Sequence, residues 1–71
     1  MFETITIEKI VRETDKAVLI TCEIEWAGAR LGREIWFPKS QIKVEDSTLL
    51  CPAWLAKAKL NDVAPRGAWF N

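Results

Sequence analysis

Alternating apolar and polar side chains run through the first half of the chain and predict β-strands. The alternation is clearest over residues 18–26, where the even-numbered positions are apolar and the odd-numbered ones, apart from Leu19, are polar. Because successive side chains of a strand point to opposite faces, we expect the even-numbered set, Trp26 included, to face a core. An earlier strand over residues 2–12 has the same period until Lys9 breaks its phase, which predicts a bulge or a strong twist beside Glu8.

A third strand is predicted over residues 31–37. Leu31, Ile35 and Phe37 fall on one of its faces, so Trp36 points to the other. Two interpretations of Trp36 stay open: a helix covers this second face, or the indole is partly exposed for a partner. Pro38 ends the strand because proline cannot donate a hydrogen bond to the ladder.

The second half of the chain predicts shorter elements. Two short strands, over residues 41–44 and 48–50, are separated by a polar turn, and one helix covers residues 51–61. Pro52 suits the first turn of that helix, and its alanines favour the helix interior. Trp54, Leu55 and Ala58 share one face of the helix, so we expect the helix to pack on the sheet or to plug the end of a barrel.

The last residues predict an irregular tail. Trp69 and Phe70 would be costly to leave in water, so we expect them to dock on the body of the protein or on a partner. Taken together, residues 1–71 predict a single mainly-β domain. Its fold class is a small, strongly bent antiparallel sheet or a partly open SH3-like barrel of four to five strands, with one short C-terminal α-helix.

The charge of the chain is balanced overall but unevenly distributed. Ten basic and ten acidic residues cancel, so no global field attracts nucleic acid or an acidic membrane. Residues 1–27 carry six acids against three bases, whereas residues 28–44 carry four bases against Glu34 alone. These two segments predict either two differently charged solvated faces or a basic patch beside Trp36.

The sequence offers little catalytic chemistry. The chain has no histidine, which removes most nucleophile–base pairs and most metal sites, and it has no glycine-rich phosphate loop. Cys22 and Cys51 are interpreted as reduced core residues, in keeping with a cytoplasmic protein. No apolar run approaches the ~20 residues of a membrane-spanning helix. We therefore expect a protein that is not an enzyme, that takes no cofactor or metal, and that has no membrane partner.

Binding is the better functional class for this chain. An exposed tryptophan beside basic side chains can stack nucleobases and follow a phosphate backbone. The candidate binding residues are Trp36, Arg33, Lys39, Lys43 and Arg30. The alternative without a binding function is that Trp36 packs beneath the helix and that the basic residues around it are solvated.

Three segments resemble a set of small proteins encoded by phages and other mobile elements. They are WFPKSQI at residues 36–42, KAVLI at residues 16–20 and PAWLAKAK at residues 52–59. The resemblance implies a phage or mobile-element origin, among recombination or defence genes, but it implies no mechanism. The turn at residues 37–42 also looks like the proline-containing turn before the last strand of Src-homology-type barrels.

These observations predict a small non-catalytic binding module that engages DNA, as single strands, or a DNA-processing protein. One alternative is an inhibitor or adaptor that binds a single host protein through the acidic half of the chain. Another is a structural homo-oligomer, such as a homodimer joined through Trp36 or through Trp69 and Phe70.

Overall fold

The computed structural model describes residues 1–71, and it consists of an open antiparallel sheet with one helix packed on it. In chain order the elements are β1 (Phe2–Glu13), β2 (Ala17–Trp26), β3 (Ala29–Pro38), β4 (Lys43–Glu45), β5 (Thr48–Pro52), α1 (Ala53–Val63) and β6 (Trp69–Phe70). One turn of 3-10 helix, Lys39–Gln41, joins β3 to β4. The main strand order is β3-β2-β1-β5-β4, so the sheet is not closed and β3 and β4 are its edges. The predicted fold class, a small bent antiparallel sheet with one short helix, is confirmed.

The β2–β3 hairpin is the most regular part of the sheet. Its register is unbroken from Ala17 opposite Pro38 to Trp26 opposite Ala29. Ala27 (φ 52°) and Gly28 (φ 80°) form the two-residue turn, with both residues in the left-handed conformation that suits the twist of a hairpin.

The predicted inward face of β2 is confirmed except at its end. Val18, Ile20, Cys22 and Ile24 are buried, but Trp26 is exposed. The prediction for Trp26 was wrong because this residue closes the hairpin at the end of the sheet, where the ladder ends and the turn begins.

Strand β1 is long, and it bends because two bulges interrupt its pairing with β2. The register shifts once between Ile7 and Lys9, as predicted, and again between Ile10 and Arg12. The N-terminal half of β1 pairs with β5 instead, starting from Phe2 opposite Pro52. One strand therefore belongs to both halves of the sheet, and the bulges turn one half against the other.

The tail is a strand, contrary to the prediction of an irregular segment. In β6, Phe70 pairs with Ile24 and Trp69 pairs with Glu25 of β2. The next residue, Asn71, donates its backbone N–H to the Glu23 carbonyl at 3.0 Å and accepts a hydrogen bond from the backbone N–H of Thr6. Since β1 leaves β2 at this point, the tail satisfies main-chain groups that would otherwise be buried without partners. The sheet thus has six strands, one more than the predicted maximum.

The core lies between the concave face of the sheet and α1. It consists of buried apolar side chains from five elements, with Phe37 the largest among them: Ile5, Ile7, Val18, Ile20, Cys22, Ile35, Phe37, Leu49, Cys51, Leu55 and Ala56. The helix starts at Ala53, directly after β5, and buries Leu55 and Ala56. Trp54 and Ala58 are exposed. Of the predicted face, Leu55 is buried as expected. The prediction was wrong for Trp54 and Ala58 because these two residues, one turn apart, lie on the side of the helix away from the sheet.

Candidate binding surfaces

All four tryptophans lie at the surface, and the core is built without them. The exposed fractions are 39% for Trp26, 40% for Trp36, 64% for Trp54 and 54% for Trp69. Only the indole N–H of Trp26 has a protein acceptor, the Arg66 carbonyl at 3.2 Å, so this ring fastens the segment before β6. The other three rings are free to contact a partner, and exposed aromatic surface of this kind is typical of binding sites.

Trp36 lies on the convex face of the sheet, which α1 does not cover. It is paired with Leu19 of β2, and directly paired residues of an antiparallel ladder share a face. The core residue Phe37 points to the concave side. Of the two interpretations of Trp36, a packing residue beneath the helix and a partly exposed indole, the second describes its position.

The structure does not bring the four predicted basic residues together around Trp36. Arg33 is paired with buried Cys22, so it lies on the opposite face of β3, and its Nη1 donates to the Gly32 carbonyl at 3.0 Å. Lys43 lies on β4, at the far edge of the sheet. Lys39 is in an ion pair with Glu13, with Nζ 3.0 Å from Oε2.

Arg30 shares the convex face with Trp36 but lies near the hairpin turn. Six residues along a strand separate the two by about 20 Å. The guanidinium of Arg30 is 3.9 Å from a Glu23 oxygen and 3.7 Å from a Glu25 oxygen. Its charge is thus shared with two carboxylates on the neighbouring strand.

Two other basic residues do lie beside Trp36, and both come from β1. Arg12 is paired with Leu19, so Trp36, Leu19 and Arg12 form one row across three strands. Lys9 is paired with Thr21 in the adjacent row, and Thr21 is paired on its other side with Glu34. Neither Arg12 nor Lys9 takes part in an ion pair. We call Trp36, Leu19, Arg12 and Lys9 the Trp36 patch.

The two bulges explain why Lys9 and Arg12 reach this face. Without a bulge, Lys9 would follow the period of Ile5 and Ile7 and point into the core. The first bulge moves Lys9 to the convex face. Ile10 is then paired with buried Ile20 and falls on the other face, although 48% of it is exposed, and the second bulge brings Arg12 back to the convex face. The period break at Lys9 was the only sequence signal for this arrangement, and it does not identify the cross-strand neighbours.

The hairpin end of the convex face is acidic. A Cβ added to Gly32 would lie 3.4 Å from Oε2 of Glu8 and 3.6 Å from Cγ2 of Thr21, so the Glu8 carboxylate reaches across β2. Glu23 and Glu25 lie on the same face. Beneath them Thr21 is buried, and its hydroxyl has no hydrogen-bond partner.

A second surface feature is a groove of about 500 Å³ between α1, β6 and the start of β1. Its lining is mostly apolar, with one acid and one base: Met1, Glu3, Ala53, Ala56, Lys57, Leu60, Trp69 and Phe70. Of the two predicted tail candidates, Phe70 packs against the core while Trp69 is more than half exposed.

The two cysteines are buried and free rather than reactive. Burial, and to a smaller extent the neighbouring Cys51, raises the pKa of Cys22 to about 12. Burial and then Glu3 also raise the pKa of Cys51, against a lowering effect of the Ala56 backbone. Both thiols are therefore protonated at neutral pH, and neither is an activated nucleophile.

Within residues 1–71 no group of three or more acidic or cysteine side chains could hold a metal ion. The single helix is too short and too polar to cross a membrane. Comparisons with family models, with curated proteins and with solved structures find no match to this chain.

Proposed function

We propose that the protein is a small non-catalytic binding module and that the Trp36 patch binds single-stranded nucleic acid. The observation that carries the proposal is the row formed by Trp36, Leu19 and Arg12, with Lys9 beside it. In that row a 40%-exposed indole lies across one strand from a cation that has no acidic partner. The main-chain distance from Trp36 to Arg12, across two strand spacings, is about 10 Å.

The chemistry of this patch suits a base and its phosphates. A nucleobase stacked on an indole contributes roughly 1–3 kcal/mol whatever its identity, because every base has a π-face. Arg12 and Lys9 are within side-chain reach of the phosphates on either side of such a base. Since the net charge of the chain is zero, binding depends on this local arrangement rather than on a general attraction.

Quenching of tryptophan fluorescence by a single-stranded oligothymidylate at low salt tests the parent protein, and the anisotropy of a labelled oligothymidylate compares the affinity of its variants. We expect Trp36→Ala to weaken binding about 5- to 150-fold, which corresponds to the loss of one stacked base. Trp54→Ala is the matched control, because Trp54 is more exposed but lies on the helix. Binding that is unchanged in Trp36→Ala, or no quenching of the parent protein, would remove the proposal.

Substitutions of the basic residues provide a second, independent test of the nucleic-acid proposal. Arg12→Gln and Lys9→Gln should each weaken binding, and the double variant should abolish most of the salt dependence. That dependence has an expected logarithmic slope of about −1.4, or roughly −0.7 for each of two phosphate contacts. Lys43→Gln removes an equal charge at the opposite edge of the sheet and should leave affinity unchanged.

A protein partner is the second candidate, and the acidic hairpin end of the convex face favours it. Glu8, Glu23 and Glu25 there would suit the basic surface that DNA-handling proteins present. In that case Trp36 would act as an apolar anchor beside the charges. Affinity for such a partner would depend on Glu23 and Glu25, whereas oligonucleotide affinity would not.

A further inference from the structure

Strand β3 is a long open edge whose free hydrogen-bonding groups can be identified. The Lys39 N–H donates to the Lys16 carbonyl at 2.9 Å, which fixes the phase of the β2–β3 ladder. Hydrogen-bonded and non-hydrogen-bonded pairs alternate along an antiparallel ladder, so the odd-numbered residues of β3 bond to β2. The N–H and C=O groups that point outward, where no strand lies, belong to Arg30, Gly32, Glu34 and Trp36.

The side chains on this edge select among possible partner strands. Charged residues usually prevent an edge from pairing with other strands. Here, however, the charges are opposite in sign and symmetric, because Arg30 and Glu34 each lie two residues from Gly32. A strand with the same sequence, running antiparallel with Gly32 opposite Gly32, would place each Arg30 directly opposite a Glu34.

We propose that β3 pairs with β3 of a second copy of this chain in this register, forming a continuous sheet across a two-fold axis at Gly32. This inference does not depend on the nucleic-acid proposal, because it rests on the main-chain groups of the edge and on the charges of Arg30 and Glu34, not on Arg12, Lys9 or a base stacked on Trp36. Three hydrogen-bonded residue pairs around the axis would form about six main-chain hydrogen bonds.

Other registers are less favourable because of charge. Sliding one strand by two residues removes both Arg30–Glu34 pairs. A shift of two residues in one direction places Arg33 opposite Arg33, and a shift of four residues in that direction places Glu34 opposite Glu34. In both registers like charges repel. In the proposed register Trp36 lies diagonally across from Arg30 of the other copy, within reach of its guanidinium.

Two side chains of this edge oppose pairing. Arg30 is already shared with Glu23 and Glu25 of its own chain. The guanidinium of Arg33 lies against the outward-facing Gly32 carbonyl and donates to it at 3.0 Å. A carbonyl oxygen has two lone pairs and can also accept the N–H of the other copy's Gly32. The two Arg33 side chains would lie diagonally across the axis on the concave side, so Arg33→Ala should strengthen association.

The contact is small, so association should be weak and dependent on concentration. Light scattering from about 10 µM to about 1 mM protein should show the mass rising from 8.1 kDa toward twice that value. In the same range, hydrogen exchange should slow at the Gly32 and Glu34 amides, while the Leu31 and Arg33 amides, already bonded to β2, stay unchanged. A constant mass with no change at the even-numbered amides would overturn the proposal.

A proline substitution can block pairing at the free edge of β3 without disrupting the fold. Glu34→Pro removes an N–H that points outward, so the ladder with β2 is kept while pairing with a second copy is blocked. Glu34→Ala keeps the N–H and is the matched control. We expect Glu34→Pro to remain at 8.1 kDa and Glu34→Ala to retain part of the association. A dimer that survives Glu34→Pro but is lost in Trp69→Ala would place the contact elsewhere and refute this one.

Charge reversal tests the register itself. Arg30→Glu and Glu34→Lys should each be monomeric, because each places like charges in opposition at both ends of the contact. An equimolar mixture of the two variants restores both attractions and should form a heterodimer. If both variants fold, as judged by circular dichroism, and the mixture stays monomeric, the register is wrong. Arg30→Glu lies beside Glu23 and Glu25; if it does not fold, the Glu34→Pro comparison decides.

Discussion

Replacing Phe70 with alanine should destabilise the fold far more than replacing its neighbour Trp69. Both residues belong to β6 and pair with β2, but their side chains lie in different surroundings. Phe70 packs against the core, whereas 54% of Trp69 is exposed. The comparison therefore separates a residue that supports the fold from one that is available to a partner.

The expected magnitude follows from burial. Truncating a fully buried phenylalanine to alanine costs about 3–5 kcal/mol. Because Phe70 is only partly buried, about half of that, roughly 2 kcal/mol, is expected. Trp69→Ala should cost less than about 0.5 kcal/mol, since main-chain pairing is unchanged. A domain of this size has a total stability of roughly 4–10 kcal/mol, so the loss at Phe70 would be large.

Urea unfolding followed by circular dichroism measures both values. The midpoint should fall for Phe70→Ala with an unchanged slope, because a change in stability alone moves only the midpoint. Equal losses for the two variants, or a loss below about 0.5 kcal/mol for Phe70→Ala, would contradict the assignment of β6 to the fold.

Three further predictions concern the turn, the buried hydroxyl and the thiols. Ala27→Asn should stabilise the protein by about 0.5–1 kcal/mol in the same unfolding assay, because Asn accepts the left-handed conformation that Ala27 adopts at φ 52°. Thr21→Val should raise stability by about 1 kcal/mol, since it removes a buried hydroxyl that has no hydrogen-bond partner; a loss would show that the hydroxyl is satisfied. The pKa of Cys22 is raised from 9.0 to about 12 in the folded protein. The stability that its buried, neutral thiol contributes is therefore present below pH 9 and is lost as the pH rises toward 12. From pH 9 to 10 unfolding free energy should fall by about 1 kcal/mol more than in Cys22→Ala, and both thiols should resist Ellman's reagent until the chain unfolds.

The fold could be predicted largely from β2, whose alternation is strict enough to define an inward face. The tail could not be predicted in this way, because β6 pairs with β2 only where β1 leaves β2 and a gap opens beside it. Neither residue of β6 carries a local signal for that pairing. For the helix, the sequence pattern did not determine which face turns inward, because that depends on the direct junction between β5 and Ala53.

The candidate site illustrates a different difficulty. Trp36 could be singled out from the strand period, but its basic neighbours were sought among residues close to it in sequence. In the sheet, the neighbours of Trp36 are cross-strand ones, and the two bulges of β1 determine them. Lys9 and Arg12 are 27 and 24 positions away along the chain, yet both lie only two strands away in the sheet.

The proposed role of the Trp36 patch can be measured most directly on the four indole N–H signals of the ¹⁵N-labelled protein. During titration with a single-stranded oligothymidylate at low salt, the Trp36 signal should shift most. Trp26, held by the Arg66 carbonyl, and Trp54, on the helix, should not move. The largest shift at Trp54 or Trp69, or no shift at any of the four signals, would contradict the account.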